Sequence, residues 1–118
     1  MSLTKTNIII NTSFVAVHCW PDCDMGGVEY LKYPHRHTFT IQVKIPVNHD
    51  DRDIEFINFK KIMDSHFDCC YSNQDIGATS CEMLCQSILC QWPEITYVRV
   101  MEDGENGAEK IVTPKEKF

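Results

Sequence analysis

The segment from His35 to Val47 constrains the fold most. Its residues alternate with a period of two: His35, His37, Phe39, Ile41 and Val43 share one face, and Arg36, Thr38, Thr40, Gln42 and Lys44 share the other. Side chains two apart point the same way on an extended strand, and a strand with one apolar face needs other elements to cover it. Asn7 to His18 supplies a second strand, rich in β-branched residues, with Phe14, Ala16 and His18 alternating onto one face. Trp20-Pro21 and Gly26-Gly27 break the pattern between the two. That leaves Cys19 to Pro34 as a mostly irregular loop of about 15 residues, a length associated with function or mobility.

Downstream, Pro46 and Asn48-His49-Asp50-Asp51 mark a turn, and Arg52 to Phe56 reads as a short returning strand. Asn58 is placed to cap a helix running through Phe59, Ile62 and Met63 to about His66. A second helix begins near Thr79 or Ser80. There Cys81, Leu84, Cys85, Ile88 and Leu89 recur at helical spacing, Glu82 sits in the first turn, and Pro93 ends the run. Ile95 to Met101 alternates as a strand, Glu102 to Gly107 is a turn, and Ile111-Val112-Thr113 pairs back as a last short strand. The expected class is α+β in the order ββααββ: an antiparallel four-stranded sheet with two helices on one face, within one domain over 1–118.

His35 and His37 project together from one strand, so their imidazoles can meet a single ion. An antiparallel neighbour can bring His18 beside them. Three neutral imidazoles suit zinc, and three protein ligands leave a fourth position for water or substrate. Against this stands the plain alternative that His-x-His arises by chance on a half-buried strand.

The net charge of −6 and pI near 5.2 argue against sequence-independent nucleic-acid or anionic-membrane binding, which needs a cationic face. Small molecules or other subunits are the expected partners. With no bilayer-length apolar run and no secretion-type start, the expected location is the cytoplasm. The seven cysteines are then expected as free thiols rather than a disulfide framework. Cys81 and Cys85, and Cys69-Cys70 upstream, lack the Cys-x-x-Cys spacing of structural zinc sites and read as packing residues.

Phe14-Val15-Ala16-Val17-His18, a variable loop, then His35-Arg36-His37-Thr38-Phe39 resembles the pattern of the 6-pyruvoyl-tetrahydropterin synthase and 6-carboxy-tetrahydropterin synthase family. Phe56-Ile57-Asn58-Phe59-Lys60-Lys61-Ile62, Ser80-Cys81-Glu82-Met83-Leu84-Cys85 and Val98-Arg99-Val100-Met101-Glu102 follow in the family's order. The resemblance implies a tunnelling fold and a homo-oligomeric barrel, a hexamer built from trimers. It also implies a Zn2+ ion on His18, His35 and His37, and a reduced pterin such as 7,8-dihydroneopterin triphosphate as substrate of a carbon–oxygen lyase. Glu102 would anchor the pterin, with Ser80 and Cys81 adding hydroxyl and backbone contacts. A carboxylate suits the anchoring role because it can accept two parallel hydrogen bonds from a 2-amino-pyrimidinone edge.

The chain also departs from that pattern. The family's usual base is a cysteine four residues before His-x-His, and that position is Leu31. Glu29 and Cys23 are the substitutes available in the loop. Cys19, next to His18 on a strand, is expected to point away from the metal. The family's Asp-His pair finds its nearest match in Asp64-Ser65-His66-Phe67-Asp68, with His66 as proton relay and Asp64 or Asp68 orienting it. Arg36 replaces a glycine on the opposite face, and Asn58 an aspartate. Two other functions stay open: a tunnelling-fold pterin or purine binder without lyase chemistry, and a zinc-stabilised protein-interaction module. Biopterin, queuosine-type deazapurine and folate branches are not separated.

Overall fold

The computed structural model describes residues 3–113; the ends of the expected 1–118 domain, residues 1–2 and 114–118, lie outside the described residues. Strand β1 (Thr6–His18) and strand β2 (His35–Val47) pair antiparallel along their whole length, from Thr6 opposite Val47 to His18 opposite His35. Helices α1 (Phe56–Cys70) and α2 (Cys81–Gln91) follow, and a hairpin of β3 (Tyr97–Glu102) and β4 (Asn106–Ile111) completes an antiparallel sheet in the order β1-β2-β3-β4. The protein is thus α+β with a four-stranded antiparallel sheet and two helices.

The alternation read along β2 decides which face is covered. Ile10, Phe14, Phe39, Ile41, Val43, Val98 and Val100 form one buried cluster with Phe59, Met63 and Phe67 of α1 and Leu84, Cys85 and Ile88 of α2. Phe14 stacks on Phe39 at 5.4 Å and packs on Phe67 at 5.2 Å, which joins both strands to α1. Aromatic pairs at this spacing contribute beyond their area alone. No helix among the described residues is long and apolar enough to cross a membrane.

Three expected elements shift. Arg52 to Phe56 is not a strand: Arg52 takes a left-handed φ of 57°, residues 51–54 form turns, and Phe56 already belongs to α1. The cap of α1 is Glu55, whose carboxylate accepts from the Ile57 and Asn58 amides at 2.9 and 3.1 Å, so Asn58 lies inside the helix. The last strand is Asn106–Ile111 rather than a pairing that starts at Ile111, because Asp103 and Gly104 make the hairpin turn tighter. The second helix starts within the expected Thr79–Ser80 region, with Ser80 as its cap accepting from the Met83 amide.

The connection from α1 to α2 matters for the site. Its residues run along the outer edge of β1: the Asn73 amide donates to Val15 O, the Val17 amide to Gln74 O at 2.9 Å, the Ile76 amide to Val17 O at 2.8 Å, and the Cys19 amide to Gly77 O at 3.0 Å. The end of β1 is therefore held on both sides, by β2 and by this connection. A strand end secured in this way does not fray, and it carries His18.

Candidate metal centre

Register alone assembles the cluster. His18 lies opposite His35, and His37 lies opposite Ala16, whose small side chain leaves room between the rings. Across the other edge of β2, Phe39 lies opposite Glu102, so the Glu102 carboxylate reaches the histidines diagonally. The three imidazoles sit edge to face, with centroids 4.5 Å apart for His18–His35, 5.3 Å for His18–His37 and 5.0 Å for His35–His37. One donor atom each from His18, His35, His37 and Glu102 lies within 4.8 Å of the other three, so this group could hold a metal ion.

The outer hydrogen bonds show that the residues fit such an ion. His18 Nδ1 lies 2.7 Å from the Thr79 carbonyl oxygen, His35 Nδ1 lies 2.8 Å from the Tyr33 carbonyl oxygen, and His37 Nδ1 lies 2.7 Å from Asp103 Oδ2. Carbonyls and carboxylates only accept, so each Nδ1 must carry the proton and donate. In a neutral ring that leaves Nε2 as a bare lone pair, and three such lone pairs converge. His18 is 8% exposed, and its Nε2 is buried without a hydrogen-bond partner. Its nearest polar neighbour is Glu102 Oε2 at 2.8 Å, with His37 Nε2 3.3 Å from the same oxygen. Lone pairs held this close to a carboxylate repel each other unless a cation or a proton lies between them. Ligand histidines tied through Nδ1 to carbonyl or carboxylate oxygens are the usual outer arrangement of metal sites.

Each outer partner has a local origin. Tyr33 precedes Pro34 and holds the extended conformation that prolines impose on the residue before them, with φ −96° and ψ 153°, which turns its carbonyl toward His35. Thr79 ends the connection zipped along β1, and its hydroxyl donates to Ile76 O at 2.6 Å. Asp103 sits at the β3–β4 turn, where its Oδ1 also accepts the Thr38 amide at 2.9 Å. These two bonds hold the Asp103 carboxyl below its ordinary range, His37 being the larger cause.

A cleft of about 560 Å³ opens beside the cluster, lined by His18, His35, Glu102, Ser80, Cys81, Leu31, Trp20 and Met83 among others. Glu102, Ser80 and Cys81 are thus gathered beside the histidines. The Cys81 thiol is pushed up to about 12, first by burial and then by the nearby Glu102 charge, so it stays protonated. Leu31, four residues before His35, presents an apolar side chain to the cleft rather than a base.

The other candidates are not gathered there. Cys23 is fully buried inside its own loop, its thiol donating to Val28 O, and Glu29 is exposed with its carboxylate accepting the Gly27 amide at 3.0 Å. Neither lines the cleft. The proposed relay does not form either: His66 packs edge-on against Trp92 at 5.2 Å, Asp64 accepts from Thr12 and Lys60, and Asp68 accepts from Ser72. On α1 these side chains are spent on helix packing and surface bonds. Cys19, expected to face away, lines the cleft instead, because β1 ends at His18 and the strand alternation no longer applies.

Sequence reading missed Asp103 and the carbonyls of Thr79 and Tyr33. The Asp103-Gly104 pair reads only as a turn, and backbone acceptors leave no trace in residue identity. No protein-family model matches this chain, and no functionally curated protein matches it.

Proposed function

We propose that the chain binds one Zn2+ ion through His18, His35 and His37 and acts, as a homo-oligomeric tunnelling-fold enzyme, on the side chain of a reduced pterin such as 7,8-dihydroneopterin triphosphate. The observation that carries the metal part is the convergence of three imidazoles whose Nδ1 atoms all face oxygen acceptors, with the His18 Nε2 buried without a hydrogen-bond partner 2.8 Å from Glu102 Oε2. Nitrogen donors of this kind favour zinc among abundant ions. Bound there, zinc would supply a Lewis acid that polarises a substrate oxygen.

The chain's own residues supply the rest of the site. Leu31, Trp20 and Met83 give the cleft apolar walls suited to a flat heterocycle, and Ser80 and Glu102 offer polar contacts at its edge. Glu102 has two uses open to it, completing the donor set or accepting from the amino-pyrimidinone edge of the pterin. The resemblance in the order of motifs from Phe14 to Glu102 supports the pterin substrate.

One observation favours a second reading, a pterin or purine binder without lyase turnover. Leu31 lines the cleft, while Cys23 and Glu29 lie outside it. The two readings separate in one experiment: zinc content by elemental analysis, binding of dihydroneopterin triphosphate, and its turnover, for the wild type and Glu102→Ala. The first reading expects one zinc per chain, with turnover that the Glu102→Ala change abolishes. Zinc and pterin binding without turnover selects the second. Absence of zinc in protein refolded with excess zinc overturns both.

A further inference from the structure

Asp103 has no required part in the hairpin it occupies. The β3–β4 turn places Asp103 at φ 55° and Gly104 at φ 71°, both left-handed, with the Glu105 amide donating to Glu102 O at 3.0 Å. Such a turn is satisfied by Asn-Gly or Gly-Gly as well as by Asp-Gly. The choice of a carboxylate therefore needs another cause, and His37 provides it.

Both carboxylate oxygens are aimed. Oδ2 faces His37 Nδ1 at 2.7 Å, Oδ1 accepts the Thr38 amide at 2.9 Å, and the Asp103 amide itself donates to Thr38 O at 2.8 Å. Three bonds thus pin one residue of the turn to two successive residues of β2. The chain reaches this contact from far away in sequence, across the edge where β3 pairs with β2. Among the three candidate ligands, His37 alone has a charged outer partner; His18 and His35 donate to neutral carbonyls.

We propose that Asp103 is a positioning residue for the metal centre, holding His37 in its Nδ1-protonated form with Nε2 turned to the ion and raising that nitrogen's affinity as a donor. The inference rests on the metal reading above and adds the residue that tunes it. A carboxylate accepting from Nδ1–H fixes the ring and makes the opposite nitrogen a better ligand.

The test is the Zn2+ dissociation constant, measured by competition with a chromophoric chelator, for wild type, Asp103→Asn, Asp103→Gly, His37→Ala and the Asp103→Asn/His37→Ala double variant. Asparagine suits a left-handed turn and keeps an oxygen for the Thr38 amide, so thermal unfolding of metal-free Asp103→Asn should stay near wild type; glycine suits the turn but gives up that bond, so Asp103→Gly should unfold at a slightly lower temperature. Asp103→Asn and Asp103→Gly should each weaken zinc binding by about 10–100-fold. In the His37→Ala background, Asp103→Asn should have almost no further effect, because the residue acts through that ring. Zinc affinity within twofold of wild type in Asp103→Asn overturns the proposal, as does a full additive loss in the double variant. Failure of the wild type itself to bind zinc overturns the metal reading, and this inference with it.

Discussion

At the scale of single residues, the histidines are useful because of what holds their far sides. Spacing pointed to His18, His35 and His37 and left a chance His-x-His open, and the resemblance in motif order singled them out; the observed register of β1 and β2 brings them together. What converts a histidine cluster into a donor set was not legible, because two of the three outer partners are backbone carbonyls and the third is a turn aspartate. Cys81 makes a separate residue-scale prediction. Its thiol, buried and close to Glu102, is raised from 9.0 to about 12. In the unfolded chain it ionises near 9, so the native state binds more protons between those values. The stability it contributes is full below pH 9 and falls as pH rises toward 12. At pH 8, alkylation with iodoacetamide followed by mass spectrometry should label the exposed Cys69 and Cys90 at least tenfold faster than Cys81, on the order expected for a thiolate-dependent reaction at a shielded thiol. Equal labelling in folded protein would contradict this assignment.

At the scale of elements, the long strands were readable to within a residue, whereas the ends of shorter elements were not. Thr6–His18 and His35–Val47 carry uninterrupted alternation. The start of α1 was misplaced because Asn58 is the better intrinsic cap, yet Glu55 has the longer reach and accepts two amides at once. Glu55→Ala should therefore cost about 0.5–1 kcal/mol in urea unfolding. Asn58→Ala, at an exposed position inside the helix, should be neutral or stabilising by a few tenths of a kcal/mol. A larger loss from Asn58→Ala than from Glu55→Ala would restore the original reading.

The β3–β4 hairpin carries the other element-scale prediction. A Cβ at Gly107 would meet Val100 O at 2.0 Å and Met101 Cα at 2.6 Å, both backbone atoms that no side-chain rotation relieves. Gly107→Ala must push β4 away from β3, at a cost of about 1–3 kcal/mol typical of overpacking. The same displacement moves the turn that presents Asp103, and Glu102 pairs with Asn106 directly beside it. Zinc affinity should fall together with stability in this variant, whereas Glu55→Ala should lower stability alone. Chelator competition on both proteins separates an element that shapes the centre from one that only supports the fold.

At the scale of the molecule, helices bury one face of the sheet, and among the described residues nothing covers the other. On that open face Ile9, Lys44, Tyr97 and Ile111 lie in one row across all four strands. The Lys44 ammonium sits over the Tyr97 ring at 4.5 Å, while Ile9 is 52% and Ile111 63% exposed. Apolar residues at both ends of such a row, on the two edge strands, are costly to leave in water and suit pairing between copies. Among the described residues, the α1–α2 connection bonds to the outer edge of β1 only from Val15 onward, and the first half of that edge has no strand beside it. A homo-oligomer closed edge to edge would remove both exposures, as a barrel does. Native mass spectrometry should then give a multiple of 13.7 kDa, and Ile9→Glu together with Ile111→Glu should shift the protein to a single chain. Ile9 and Ile111 stand at the end of the sheet away from the histidines, near the Thr6–Val47 pairing rather than His18–His35. The single chain should therefore keep its zinc while losing any pocket wall contributed by a neighbour, so pterin binding should drop with metal content unchanged. A wild-type protein that runs as one chain at micromolar concentration would remove the oligomer from the proposal and require the cleft of one chain to hold the substrate alone.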